Sequence, residues 1–297
     1  MRRWPALLLS LAALAAPAEP PAPFLWQVQA PGGGAVHWLM GSIHLLPDSA
    51  QPLPPALVAA YQASAGLILE SDLAALGSPE VQLNLLMQAA SEHPAGIKAE
   101  MPPPDYARLQ AQAAELGMPM NLCDNFKPWF CAMSLEVFSF QHEGFRPELG
   151  VDQQFYERAG RDGKPVAWLE EPKEHLALFY DMPPVLSQEF LAATLAELGQ
   201  PTSMPQELLR IWRGNDQAAL AGIARALKDD HPQTYQRLLA GRNRLWAGRL
   251  QTMLGAEPQL VIVGAAHLAG PDSLPALLQR SGFQVTPSAE PRVRGPL

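Results

Sequence analysis

His44 and His267 stand in two segments that look alike although most of the chain separates them. The first reads Trp38-Leu-Met-Gly41-Ser-Ile-His44-Leu-Leu-Pro-Asp-Ser49 and continues Leu53-Pro-Pro-Ala-Leu57. The second reads Val261-Ile-Val-Gly264-Ala-Ala-His267-Leu-Ala-Gly-Pro-Asp-Ser273 and continues Leu274-Pro-Ala-Leu277. Each is an apolar run, then Gly-x-x-His-Leu, then Pro-Asp-Ser, then a Leu-Pro helix start. Two further apolar runs end in acids, Gly66-Leu-Ile-Leu-Glu70 and Lys164-Pro-Val-Ala-Trp-Leu169 before Glu170. Neutral imidazoles with a carboxylate suit a divalent ion such as Mn, Co or Zn, and three protein ligands leave positions for water. Water whose pKa such an ion lowers is a hydrolytic nucleophile.

These side chains need a frame that brings them together. In open α/β sheets ligands sit beyond the carboxyl ends of the strands, and a glycine there lets backbone approach closely. If the four runs are parallel strands, His44, His267, Glu70 and Glu170 reach one rim. The remaining pattern agrees with a sheet protein. Phe24 to Gln29 and Val36 to Met40 alternate as a hairpin joined through Pro31-Gly-Gly-Gly34; no Lys-Ser/Thr follows those glycines, which excludes a phosphate cradle. Helices are expected over 53–64, 79–90, 104–116, 128–140, 151–159, 183–198, most of 204–254, and 274–281, several with proline at the first turn. A short strand is expected near 283–285. The fold class is α/β, with a mixed central sheet and a largely helical insert at about 78–254 between the two similar units.

Other polar residues have duller readings. Asp152 after Gly150 is expected to cap a helix, with a place in the site as the alternative. Arg242 either reaches a carboxylate or oxyanion in the crevice or lies on a solvated helix face. His37 on the hairpin is read as structural, and Asp229-Asp-His231 before Pro232 as a polar helix stop. His93, His142 and His175 have no histidine four residues away, so no helix-borne zinc motif exists. Trp129 and Trp168 are expected in the core.

Composition narrows the function classes. Of 297 residues 48% are hydrophobic and 17% charged, with a net charge of −8 and no basic stripe, which argues against nucleic-acid binding. Thirty-one prolines exclude a coiled coil. Arg2 and Arg3, an apolar stretch from Trp4 to Ala16, and Ala16-Pro17-Ala18 read as a signal peptide over 1–18, followed by a Pro-rich spacer over 19–23. The apolar stretch falls short of the roughly 20 residues that span a bilayer, although an uncleaved anchor is the alternative. The mature chain would then be a periplasmic or secreted single domain over 24–297, without a stable membrane span. In that oxidising space Cys123 and Cys131 either form a disulfide, which requires a turn at Lys127-Pro128, or remain buried thiols.

The ordered pieces Leu39-Met-Gly-Ser-Ile-His44, Leu67-Ile-Leu-Glu-Ser-Asp72, Lys127-Pro-Trp129, Gly150-Val-Asp152, Gly163-Lys-Pro-Val-Ala-Trp-Leu-Glu170, Arg242-Asn243 and Val263-Gly-Ala-Ala-His-Leu268 resemble the TraB/PrgY/GumN family, in particular its bacterial GumN-like members; animal Tiki proteins share the superfamily. The resemblance implies an erythromycin-esterase/ChaN-like fold and, from the Tiki members, metal-dependent proteolysis. By position, His44, Glu70 and His267 match the metal-binding residues; Glu70 is a candidate general base, with Glu170 and Arg242 in supporting catalytic roles. Ser42 replaces the usual Thr, Ala266 a common Gly, and Gly241 a common acid. The expected function is an exported metal-dependent hydrolase acting on a peptide or another small envelope substrate. The alternatives are a non-enzymatic binder of peptide or haem and a metal-independent esterase with His44 as general base.

Overall fold

The computed structural model describes residues 24–288; the signal peptide and spacer read from the sequence lie outside the described residues. Within them the chain forms β1 (Leu25–Gln29), β2 (Val36–Ser42), β3 (Leu46–Pro47), α1 (Pro55–Gln62), β4 (Gly66–Leu69), α2 (Leu73–Leu76), α3 (Pro79–Ala89), α4 (Pro103–Glu115), α5 (Asn121–Asp124), α6 (Pro128–His142), β5 (Phe145–Arg146) and α7 (Val151–Asp162). There follow β6 (Val166–Trp168), α8 (Pro172–Tyr180), α9 (Pro184–Leu198), α10 (Met204–Arg213), α11 (Gln217–Asp230), α12 (Pro232–Tyr235), α13 (Gly241–Met253), β7 (Gln259–Gly264), α14 (Leu274–Arg280) and β8 (Gln284–Pro287).

Six strands make one mixed sheet in the order β6-β4-β7-β2-β1-β8. The hairpin partners β1 and β2 are antiparallel, pairing Trp26 with Leu39, and Gly32, Gly33 and Gly34 turn the chain with positive φ. β2, β7, β4 and β6 are parallel. Both inner strands β4 and β7 read as near-continuous apolar runs because helices cover both faces. The two sequence-similar strands lie side by side, with Gly41 opposite Val263 and Ser42 opposite Gly264.

Leu39, Leu67, Leu260 and Val263 form the middle of the main core, against Phe155, Trp212, Trp246 and Leu274 from the covering helices. A second core joins α3, α4, α6 and α9 through Leu109, Trp129, Leu135 and Leu191, so these helices pack mainly on each other, whereas α7, α10 and α13 pack on the sheet. Cys123 and Cys131 are bonded across the bend before α6, with Cα atoms 4.6 Å apart. Among the described residues no helix is long and apolar enough to cross a membrane.

Three features depart from the sequence pattern. A two-stranded ribbon of β3 and β5 escapes a periodicity reading because each strand has two residues. α8 was not expected, although Glu171-Pro172 and Glu174 make a capping box at its start. Trp168 is only half-buried on the edge strand β6, not in the core, whereas Trp129 is fully enclosed. His37 is buried and its Nδ1 accepts the Gln259 N–H at 3.2 Å, a structural tie between β2 and β7.

Candidate active site

The parallel strands release their carboxyl ends along one rim. Glu70 follows β4 and Glu170 follows β6, tied together by the Glu170 N–H donating to the Glu70 carbonyl at 2.9 Å. Beyond β7 the Gly264 N–H donates to Glu70 Oε1 at 2.6 Å. A Cβ on Gly264 would lie 3.3 Å from His44 Nε2, 3.4 Å from Glu70 Oε1 and 3.6 Å from the His267 ring. Glycine there leaves open the space on which both motif histidines and Glu70 converge.

His267 sits in a single 3-10 turn, Ala265–Leu268, and is 4% exposed. Its tautomer follows from Asn243, whose amide nitrogen donates to the carbonyls of Asp272 (2.9 Å) and His267 (3.4 Å). That orientation turns Asn243 Oδ1 toward His267 Nδ1 at 2.7 Å, so Nδ1 carries the proton and Nε2 is an acceptor. Nε2 lies 3.2 Å from Arg242 Nη1 and 3.9 Å from Glu70 Oε1. Burial, reinforced by Arg242, brings the imidazole pKa down to about 3 against the pull of Glu70. The unfolded chain therefore binds the extra proton between its ordinary 6.5 and about 3, and His267 makes the fold less stable as pH falls through that window.

His44 is held differently. Its loop docks on the start of α7, where Val151 N–H donates to the Ile43 carbonyl at 3.1 Å. Asp152 then accepts from Ser42 Oγ at 2.7 Å and meets His44 Nδ1 at 2.9 Å. The expected helix-capping role for Asp152 is thus corrected: Gly150 occupies the cap position, and the carboxylate turns toward the β2 loop. Ser42 supplies the hydroxyl that a threonine would. The Asp152 carboxylate, aided by Glu70, raises the His44 pKa to about 9 against the partial desolvation of its half-exposed ring, so His44 is a cation at neutral pH with Nε2 directed at the crevice. A Cβ on Gly150 would stand 2.1 Å from the His44 carbonyl oxygen. Gly150→Ala is expected to force the loop off α7 and cost about 1–3 kcal/mol, measured by urea unfolding.

Arg242 ties the glutamates together. It enters α13 directly after a π turn at Gln236–Ala240, a geometry often found beside functional sites. Nη2 reaches Glu70 Oε2 at 2.5 Å and Glu170 Oε1 at 2.7 Å, while the guanidinium stacks on Trp246 at 4.3 Å. The side chain is 11% exposed, which excludes the solvated-face alternative. Glu170 also accepts from Trp246 Nε1 at 3.1 Å and contacts His175 Nδ1 at 2.7 Å. Burial alone would raise both glutamates; Arg242 and the neighbouring histidines instead hold them below the ordinary carboxylate range. So weak a base as Glu70 is poorly suited to take a proton from water.

Metal ligation can be weighed on these donors. Among the described residues, one ligand atom each from Glu70, Glu170 and His175 lies within 4.8 Å of the others, a group that could hold a cation. The cation already between them is Arg242, whose Nη2 is also 3.3 Å from His175 Nδ1. His175 was passed over in the sequence for want of a histidine partner; the capping box that starts α8 is the signal that could have placed it. The set expected from the sequence, His44, Glu70 and His267, is not drawn this tightly together. It has the chemistry of a metal site nonetheless. Both imidazoles are anchored at Nδ1, by Asp152 and by Asn243, as ligating histidines usually are, and Glu70 Oε1 faces the open space over Gly264. The donor types of these three residues suit a divalent ion once His44 and His267 both offer Nε2 without a proton.

The comparisons with known proteins give the chain a family. The chain is 27% identical over 254 residues to the uncharacterized protein YbaP of Escherichia coli (strain K12), covering 84% of this chain and 89% of that protein. The YbaP protein of Shigella flexneri gives the same figures. No solved structure matches the chain. The model of the TraB/PrgY/gumN family matches residues 24–287, a span that takes in every residue of the rim, and the chain belongs to that family.

Proposed function

We propose that this chain is an exported metal-dependent hydrolase, acting on peptide bonds, with an erythromycin-esterase/ChaN-like fold. The carrying observation is the convergence of two Nδ1-anchored histidines and Glu70 over Gly264. His44, Glu70 and His267 would hold Zn, Mn or Co, which supplies Lewis acidity and lowers the pKa of water when bound. Glu70 serves as an anionic ligand rather than a base. Holding the ion, His44 would offer Nε2 without its proton while Nδ1–H stays on Asp152, so the ion would take the place of the proton that Nε2 otherwise keeps. Arg242 fixes Glu70 and Glu170 and keeps positive charge beside the site of developing oxyanion. Export is supported by the N-terminal sequence and by the Cys123–Cys131 bond, which suits an oxidising compartment.

Metal content measured on protein purified from the periplasm, beside turnover of a mixed peptide library, tests this reading. One ion per chain is expected, lost with activity in His44→Ala and His267→Ala. Activity that survives exhaustive chelation would support the second reading, a metal-independent esterase. That reading is favoured by one observation: Arg242 already satisfies Glu70 Oε2 and His267 Nε2 without any ion. Saturable peptide or haem binding with no turnover would instead make the protein a binding module and end both hydrolytic readings.

A further inference from the structure

Each repeat continues past its histidine into Pro-Asp-Ser, and in the second the acid is Asp272. Lys228 Nζ of α11 donates to its Oδ2 at 2.9 Å, and the Tyr235 hydroxyl of α12 donates to the same oxygen at 3.0 Å. The backbone carbonyl of Asp272 takes the shorter of the two bonds from the Asn243 amide, 2.9 Å against 3.4 Å for the His267 carbonyl. Where that carbonyl stands therefore decides which end of the amide faces His267. Tyr235 is 3% exposed, and burial together with Asp272 pushes its hydroxyl up to about 12, so it stays a donor to the acid.

Tyr235 and Asn243 both meet Asp272 although eight residues separate them. The chain between them is one helical run, with right-handed helical angles at Tyr235, Gln236, Ala240 and Gly241. In an unbroken α-helix a spacing of eight turns two side chains about 80° apart, whereas a spacing of seven leaves them within about 20°. The π turn at Gln236–Ala240 takes up one residue, which returns both side chains to one face. Gly241 permits that turn, since a Cβ there would stand 2.6 Å from the Gln236 carbonyl oxygen.

We propose that Asp272 is a positioning residue for His267. Clasped by Lys228 and Tyr235, it holds Asn243 with its amide oxygen on His267 Nδ1, so that Nε2 is presented to the rim without a proton. With the clasp open, the Asp272 carbonyl leaves the amide, which can then turn its nitrogen toward Nδ1. A donor in that place forces the imidazole proton onto Nε2. The first repeat supplies a matched comparison, because Asp48 of its Pro-Asp-Ser pairs with Arg146 at 2.5 Å on the other motif histidine's side.

The test is nitrogen-15 NMR of the full chain labelled at histidine, freed of metal by chelation and held near neutral pH, with the His267 signals assigned by their loss in His267→Gln. Metal and substrate are absent from this readout, so it stands or falls apart from the hydrolase reading. The wild-type protein is expected to show His267 as a single tautomer protonated at Nδ1. In Asp272→Ala about half of that signal should pass to the Nε2–H form, while Asp48→Ala should leave the His267 pattern as it is. Circular dichroism checks that each variant is folded. Should Asp272→Ala fail to fold, Lys228→Met/Tyr235→Phe opens the same clasp from its other side and should give the same transfer. An unchanged His267 pattern in the folded clasp variant, or an equal change in Asp48→Ala, would overturn the proposal.

Discussion

An Arg242→Ala variant is expected to lose about 3–5 kcal/mol of folding stability, read from the midpoint of urea unfolding. The size follows from what the guanidinium leaves behind. Glu70 and Glu170 side chains are 12% and 3% exposed, too enclosed for water to take over the ion pairs. Without Arg242 two carboxylates would face each other at the strand ends, and one would have to take up a proton. Arg242→Lys should recover only part of the loss, since one ammonium cannot reproduce the fork that meets both acids. Adding Glu170→Gln to Arg242→Ala should return some stability by removing one stranded charge. A loss under about 1 kcal/mol for Arg242→Ala would mean that the acids are solvated and the buried cluster is not as described.

The second large effect is expected at Asp152. Asp152→Asn keeps the hydrogen bond to the β2 loop but removes the charge that raises His44, so proton loss from His44 should move down from about 9 toward its ordinary 6.5. In the metal-independent reading, where His44 moves the proton, the alkaline limb of the pH–rate profile moves with it. In the metal-dependent reading, where His44 Nε2 is a ligand, metal affinity should fall about 10–100-fold, as it does when a ligating histidine loses its outer carboxylate. Stability carries the same signature. His44 has a raised folded pKa, so its contribution is complete below 6.5 and disappears as pH rises through about 9. The Asp152 pKa is depressed below 3.8 despite burial, chiefly by His44, so its contribution is lost only in more acid solution. Wild-type stability should therefore decline from pH 6.5 to 9, and Asp152→Asn should flatten that decline. The decline should be shallow because the His44 side chain is 53% exposed. A pH–rate profile identical in the two proteins would remove His44 from the proton-transfer step.

How far the residues announced this arrangement depends on how local the signal is. The paired Gly-x-x-His segments and the apolar runs ending in Glu70 and Glu170 point to one rim because strand direction alone places their ends. Sheet order is another matter: nothing in the spacing says that β7 enters between β2 and β4, since that is decided by packing among strands distant in sequence. Asp152 was misjudged for a related reason. A polar residue at a helix start satisfies the capping rule locally, and only the docking of the β2 loop on Gly150 gives the carboxylate a different partner. His175 lay hidden because its partners, Glu170 and Arg242, come from two other elements. Arg242 could be assigned to the site or to solvent from the helix pattern; its burial against Trp246 and both glutamates is a tertiary fact.

The position of β7 also governs how the chain assembles. β4 pairs with β6 and β2 with β1, but β2 and β4 touch only through β7. Until residues 259–264 have emerged and inserted, the protein is two unjoined half-sheets, each with a raw hydrophobic edge able to template the wrong strand. The last parallel strand acts as a keystone, closing both edges and bringing His267 to Glu70 in the same event. An assembled rim would thus double as a report that synthesis has passed His267, with shorter copies left without it and exposed to proteolysis.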